Sequence, residues 1–329
     1  MRRGRARTAA LPLLLLLPLL LLVGCTPAPQ PEDPLRLMVP TPAGGGYDVT
    51  ARTVAIALED AGLAEEVEVF NLTGSAGTTG LSRLVHESGN TRLIMQMGLG
   101  LVGSALADRA PHPIADATPL ARLLEEPEAV VVPHDSPYRT FDQLAKAWRE
   151  RSGLRAGVGS HPGGPDHQAL MLIAETLGVS PADTPFSRYD GGGKLLAALL
   201  SHKIDFALTG SAEYRHAIAA GQLRVLAVTG PQRVAGINAP TLREHGHDLE
   251  VVNWRGLMAP PGISQRERAE LIALLDRLHT TPQWRRALRD NGWTDAYLSG
   301  DAFSRFLTAE NKRVAALLHR LGLTGPTTR

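Results

Sequence analysis

Pro40-Thr41-Pro42-Ala43-Gly44-Gly45-Gly46-Tyr47-Asp48 joins a short apolar run, Leu35 to Val39, to a segment with Ala51, Val54, Ala55 and Leu58 at i, i+3, i+4 and i+7. That pattern reads as strand, glycine loop, amphipathic helix, ended by Gly62. Consecutive glycines let the main chain approach a ligand closely, and the first N–H groups of the following helix have no acceptor within it. The loop therefore has the makings of a backbone-lined anion site.

Working outward, the same unit recurs. Val67 to Phe70 runs into Asn71-Leu72-Thr73-Gly74-Ser75-Ala76-Gly77-Thr78-Thr79-Gly80 and a helix marked by Leu81, Leu84 and Val85; Leu93 to Met95 runs into Gln96 to Gly100. After Ala129 to Val132 the series restarts. Leu154 to Val158 leads to Gly159-Ser160-His161-Pro162-Gly163-Gly164-Pro165-Asp166-His167 and a helix with Leu170, Ile173, Ala174 and Leu177 on one face. Pro185 to Ser187 leads to the Tyr189 to Gly193 loop, Ile204 to Leu208 to Thr209-Gly210-Ser211, and Leu223 to Val228 to Thr229-Gly230. Strands alternating with helices imply parallel sheets, whose ligands bind at the carboxyl ends of the strands. Two such series predict an α/β chain of two domains with a cleft between them. The C-terminal third reads as helical: Ser264 to Leu278, a helix capped by Thr281 with Pro282 at its first position and ending at Gly292, and a last helix capped by Asp301.

The beginning of the chain carries Arg2, Arg3, Arg5 and Arg7, then a leucine-rich run from Ala9 to Val23 interrupted only by Pro12 and Pro18. This reads as a signal peptide, 1–24. Leu22-Val23-Gly24-Cys25 has the pattern of a lipobox, so Cys25, the sole cysteine, is expected to be lipidated and 25–34 to be a proline-rich tether. The folded body is then extracytoplasmic and membrane-anchored, in a periplasm or on the outer face of the cell membrane. A single cysteine excludes both a disulfide framework and a thiolate zinc site. Net charge is +1 over the whole chain and −3 once the four leader arginines are set aside, which does not indicate a nucleic-acid surface. No cofactor is expected.

Several patterns imitate other chemistries. Gly98, Gly100 and Gly103 satisfy G-x-G-x-x-G after a predicted strand, with Asp116 and Glu125 downstream, but Ala110-Pro111-His112-Pro113 breaks the βαβ unit a dinucleotide needs. His161, Asp166 and His167 lie in a proline/glycine loop without helical ligand spacing. No G-x-S-x-G elbow surrounds a serine, so an enzyme reading lacks its nucleophile. His245 and His247 lie among charges and read as solvated.

Taken together the segments resemble the substrate-binding receptors of tripartite tricarboxylate transporters, the Bug family, and more closely its tricarboxylate branch. The resemblance is carried by Pro42 to Asp48, Asn71 to Gly80, Pro119 to Pro127, Gly163 to His167, Tyr189 to Gly193, Ala220 to Thr229, Asn253 to Gly262 and Asn291 to Phe303, in the family's order. It implies a two-domain periplasmic-binding-protein (Venus-flytrap) fold with a mainly parallel sheet in each domain. Domain I would be 35–131 plus 254–329, and domain II 132–253. It also implies a ligand carboxylate held by main-chain N–H groups of Gly44, Gly45, Gly46, Tyr47 and Asp48 and of Ser75, Ala76, Gly77 and Thr78. Gly159, Ser160, His167, Tyr189, Gly191 and Thr209 would read the rest of the molecule. Tyr47 stands where the tricarboxylate branch often carries tryptophan, a departure that bears on pocket size.

Within that set the side chain of Asp48 reads as a helix cap, since its charge would repel a carboxylate ligand. Ser160 and Thr209, just after predicted strands, offer hydroxyls to a carboxylate or are ordinary turn residues. His167 reads equally as a donor or as the opening of its helix, and Tyr189 as pocket lining or edge packing. Arg188, Arg215 and Arg255 are the cations in reach of such a site. The expected activity is non-enzymatic: capture of a small carboxylate, citrate or another tricarboxylate first, by domain closure, and delivery to a permease of one large and one small membrane subunit by a monomeric receptor. A sensory receptor signalling to a membrane kinase is the other reading. Gly45→Val and Gly77→Val are each expected to weaken binding severely while leaving the fold largely intact.

Overall fold

The computed structural model describes residues 34–150, 153–189 and 191–323. The signal peptide, Cys25 and the tether up to residue 33 lie outside the described residues, as does Asp190. The chain opens with β1 (Leu35–Val39), α1 (Gly46–Asp60), β2 (Val67–Asn71), α2 (Thr78–His86), β3 (Leu93–Gly98) and α3 (Leu99–Ala107). β1 pairs in parallel with both β2 and β3, as right-handed strand–helix–strand units require.

A long strand, β4 (Thr118–Pro133), then links two sheets. The second series follows: α4 (Phe141–Arg149), β5 (Ala156–Val158), α5 (Pro165–Thr176), β6 (Phe186–Arg188), α6 (Gly192–Leu200), β7 (Phe206–Gly210), α7 (Arg215–Ala219) and β8 (Leu223–Val228). β9 (Val252–Ala259) returns to the first sheet, and α8 (Gln265–Thr280), α9 (Pro282–Asn291), β10 (Thr294–Ser299) and α10 (Gly300–Arg320) complete the chain.

Among the described residues, parallel pairing between strands is confined to the wings, β2-β1-β3 and β6-β5-β7, apart from an isolated bridge of Val228 with Thr241. The centre is antiparallel: β9 pairs with β3 and β4, β10 with β4, and β4 with β7 and β8. Each sheet is therefore mixed, because strands that carry the chain between the sheets run against the wings. β4 changes sheet at one point. Through Pro127 it pairs with β9, and from Glu128 onward with β7. Proline has no N–H to give a ladder, so it falls naturally where one pairing ends and another begins.

β9 and β10 are strands in a region read as helical, and β4 is far longer than Ala129 to Val132. Val252-Asn253-Trp254-Arg255 is nearly all buried, so no polar alternation marks it in the sequence. The capping box of Ser264 with Glu267 and the Thr281 cap with Pro282 are as expected. Asp301, however, lies in the first turn of α10, whose N-cap position is Ser299.

Both faces of each sheet are covered. Leu37, Leu58 and Trp284 pack on one side of the first sheet, Met95, Trp254 and Phe303 on the other. In the second, alternate residues of β4 divide the faces, Val130 and Val132 to one core and Ala129 and Val131 to the other. His245 and His247 flank the Phe141 ring, with centroids 5.3 and 5.6 Å away, rather than standing in solvent.

Candidate functional site

The glycine loops of both sheets converge on one cavity of about 890 Å³. From the first sheet, Gly44 to Tyr47 and Ser75 to Gly77 line it; from the second, Gly159, Ser160, Tyr189 and Gly191 do so. The N-terminal ends of α1, α5 and α6 and the turn before α2 all open onto it, so unpaired N–H groups and the positive ends of helix dipoles face one space. This geometry can hold an anion without a cationic clamp.

The first loop is held by the residue that closes it. Asp48 accepts hydrogen bonds from the Gly44 N–H (2.9 Å), the Arg52 guanidinium (3.0 Å) and the Asn71 amide (2.9 Å), and Asn71 also donates to the Thr41 carbonyl. These donors hold its carboxyl below the ordinary aspartate range against the opposing effect of burial. Asp48 is thus structural and does not line the cavity, and it takes up the Gly44 N–H, leaving those of Gly46 and Tyr47 without acceptors in their helix. The Tyr47 hydroxyl accepts from the Leu101 N–H at 3.0 Å and ties the loop to α3, and burial pushes its pKa up to about 12. Beneath the loop, Gly46 leaves room for the Arg255 guanidinium, which a Cβ would approach to 2.5 Å.

The second loop is strained. Gly74, Ser75, Ala76 and Gly77 have φ of 148, 42, 52 and 100°, positive values that cost roughly 1–3 kcal/mol at each non-glycine. A closing bond from Gly77 N–H to Gly74 O curls the turn towards the cavity. Thr78 is buried behind it, its hydroxyl donating to the Ser75 carbonyl, and is not lining.

Two second-sheet candidates also lie behind the wall. His167 is 1% exposed, its Nδ1 accepts the Gly163 N–H, its ring packs on Phe186, and burial lowers its pKa to about 4, so it is a neutral core residue. Thr209 donates its hydroxyl to Glu213 at 2.8 Å and so orients a side chain that does line the cavity. Of the arginines, Arg188 and Arg255 line it and Arg215 does not.

Sequence reasoning missed the charged interior of the cavity. Glu126 ion-pairs with Arg255 and accepts from the Ala212 N–H; Arg255 also donates to Thr50. Asp166 and Glu213 line the same wall, and Glu128, wholly buried, stands behind it. Burial raises Asp166 to about 6; burial and then the neighbouring Asp166 and Glu126 raise Glu213 to about 7. Burial and then the neighbouring acids Asp166, Glu126 and Glu213 raise Glu128 well above the ordinary range. The doublet Glu125-Glu126 before Pro127 was visible in the sequence, but not which carboxylate points inward.

The glycines of the apparent dinucleotide fingerprint serve packing. A Cβ on Gly98 or Gly100 would meet Tyr47, and one on Gly103 would fall on the Gly163 carbonyl, where α3 meets the loop before α5.

Comparison with known proteins accords with this geometry. Residues 51–323 match the model of the tripartite tricarboxylate transporter family receptor. The chain belongs to that family. Among its relatives, the UPF0065 protein of the tcbD-tcbE intergenic region of Pseudomonas sp. (strain P51) is 28% identical, covering 88% of this chain and 86% of that one. A TctC solute-binding protein from Polaromonas, solved without ligand, is 26% identical, covers 88% and 99%, and superposes with a TM-score of 0.66. Two further structures share the fold at 22% identity. MatC from Rhodopseudomonas palustris with bound malate has a TM-score of 0.72 (90% and 100% covered), and an R. palustris protein with adipate one of 0.81 (89% and 98%). As a member of this receptor family the chain is a solute-binding protein of the periplasmic-binding-protein fold.

Proposed function

We propose that this receptor captures a small carboxylate between its two sheets and delivers it to the membrane permease of a tripartite tricarboxylate transporter. The observation that carries the reading is the convergence of the Gly45-Gly46-Tyr47 and Ser75-Ala76-Gly77 loops with the Gly159-Ser160 and Tyr189-Gly191 loops on one cavity. The malate and adipate bound by proteins of this fold support a carboxylate as the ligand class. We assign the lobes as 35–131 with 254–329, and 132–253; β4 changes sheet just before the first boundary. A ligand touching loops of both lobes binds the closed form better, and that difference shifts the population towards closure.

Finer points rest on the sequence. The lipobox supports anchoring through Cys25 on the extracytoplasmic side of a membrane, and the family branch favours citrate or another tricarboxylate. Calorimetry with citrate, tricarballylate, succinate, glutamate and an aromatic acid tests the function. One-to-one binding of any of them supports the receptor, and a folded protein that binds none defeats it. Incorporation of labelled fatty acid that disappears in Cys25→Ser tests the anchor.

A further inference from the structure

The cavity has a second chemistry on the wall that carries Glu126, Asp166 and Glu213. Glu126 is neutralised by Arg255, but Asp166 and Glu213 have no cationic partner among the described residues. Glu213 is exposed and lines the cavity. Its Oε2 takes the Thr209 hydroxyl, and its Oε1 takes no donor from the described residues. The space it occupies is built for it: a Cβ at Gly192 would fall on Glu213 Oε1, and the Tyr214 hydroxyl donates to the Gly192 carbonyl. Gly210 makes the same room for Glu126.

A separate observation points the same way. Asn253, 7% exposed, stands opposite Glu126 in the β4–β9 ladder and lines the cavity, and its Oδ1 has no hydrogen-bond partner. The wall thus presents acceptors that lack donors. Arg188 and Lys194 are exposed residues that line the same cavity. Among the described residues no three of His, Cys, Asp and Glu are grouped so as to hold a metal ion, so the acids do not form a cation cage.

We propose that this wall is a subsite for an ammonium group, so that the preferred ligand is a small zwitterion with its carboxylate on the glycine loops and its amine against Glu213, Asp166 and Asn253. The inference rests on the carboxylate-receptor reading and narrows it. A fully ionised tricarboxylate of similar size would set a carboxylate against Glu213 and Asp166, where like charges at close range are unfavourable. An ammonium supplies the missing donors and the missing charge together, and it favours the ionised form of Glu213.

The test compares matched acids that differ only in the amine: glutamate with glutarate, and 4-aminobutanoate with butanoate, with citrate as a further arm, by calorimetry on the purified protein at about pH 7.5. The amino member of at least one pair is expected to bind about tenfold or more tightly than its partner, and to release protons measurable from the buffer dependence of the heat. Glu213→Gln is expected to erase that preference. Thr209→Val, which removes only the hydroxyl orienting Glu213, is expected to reduce it by a smaller factor and serves if the first variant does not fold. Equal binding within every pair, or citrate tighter than every amino acid, overturns the subsite and leaves the carboxylate receptor standing. Failure of a folded protein to bind any of these acids overturns both.

Discussion

The glycine loops and the carboxyl wall of the cavity handle charge by opposite means. At the glycine loops, backbone N–H groups and helix dipoles offer a diffuse positive potential, and Asp48 is turned away into a cap. At the carboxyl wall, side chains from β4, α5, the turn after β7 and β9 bring four carboxyl groups around a single buried arginine. The loops depend on backbone shape and the wall on side-chain pairing. Substitutions at each should therefore fail in different ways.

The largest effect is expected at the pairing. Arg255→Ala leaves Glu126, 1% exposed, without its counter-ion, and removal of one partner from a buried pair costs roughly 3–5 kcal/mol. Urea unfolding should show that loss with the cavity otherwise lined as before. An unchanged midpoint would mean that the pair contributes no net stability and that the carboxyl wall is not organised around it.

Next come the glycine loops, where the two glycines first paired as equivalent separate. Gly77 has φ of 100° and its Cβ would meet Leu101, so Gly77→Val strains the turn as well as the site. Its expected sparing of the fold is therefore corrected. Gly45 has φ of −83° and the nearest atom to an added Cβ is 3.7 Å away. Gly45→Val should keep the melting temperature and lose about 100-fold in carboxylate affinity, roughly 2.7 kcal/mol. Retained affinity would remove the first loop from the site.

Asp48→Asn is smaller again. It keeps the shape but weakens the bonds from Arg52, Gly44 and Asn71, and a loss of about 1–2 kcal/mol in stability is expected, with affinity following only as the loop loosens. A large affinity change with no stability change would return Asp48 to the ligand.

How much of this could be read from sequence follows the same division. The glycine loops announce themselves because their residue type is the requirement: Gly44 to Gly46 and Gly77 are needed for close approach or positive φ, and local spacing shows both. The wings of the sheets were legible for a like reason, since β1-α1-β2 alternates apolar periods over short range. The carboxyl wall was not. Glu126, Asp166, Glu213 and Arg255 lie on separate elements, and β9, which carries Arg255, is too uniformly buried to show a strand period. His167 and Thr209 failed as ligand contacts because a position after a strand does not say which way a side chain points. His167 turned into the core and Thr209 onto Glu213.

The smallest expected effect tests the wall without a ligand. Asp166 and Glu213, raised to about 6 and about 7, and Glu128, raised by burial and by these neighbouring acids, all bind protons more tightly folded than unfolded. Between the ordinary carboxylate range of about 4 and these higher values the native state therefore holds more protons, and its stability falls as pH rises. The groups that set this are the acids of β4, α5 and the turn after β7, with Arg255 of β9 opposing them. Asp48 and Glu310 are shifted the other way, so their contribution is lost only as pH falls through the lower carboxylate range. The ligand-free protein should accordingly melt a few degrees higher at about pH 5.5 than at about pH 8, and Glu213→Gln and Glu128→Gln should each flatten that slope. An ammonium ligand should reverse it, since it requires Glu213 ionised and loses affinity as pH drops through about 7, whereas an anionic ligand gains affinity over the same interval. A flat profile in the unsubstituted protein would mean that water in the cavity screens these acids and that the carboxyl wall differs from the glycine loops in composition but not in charge.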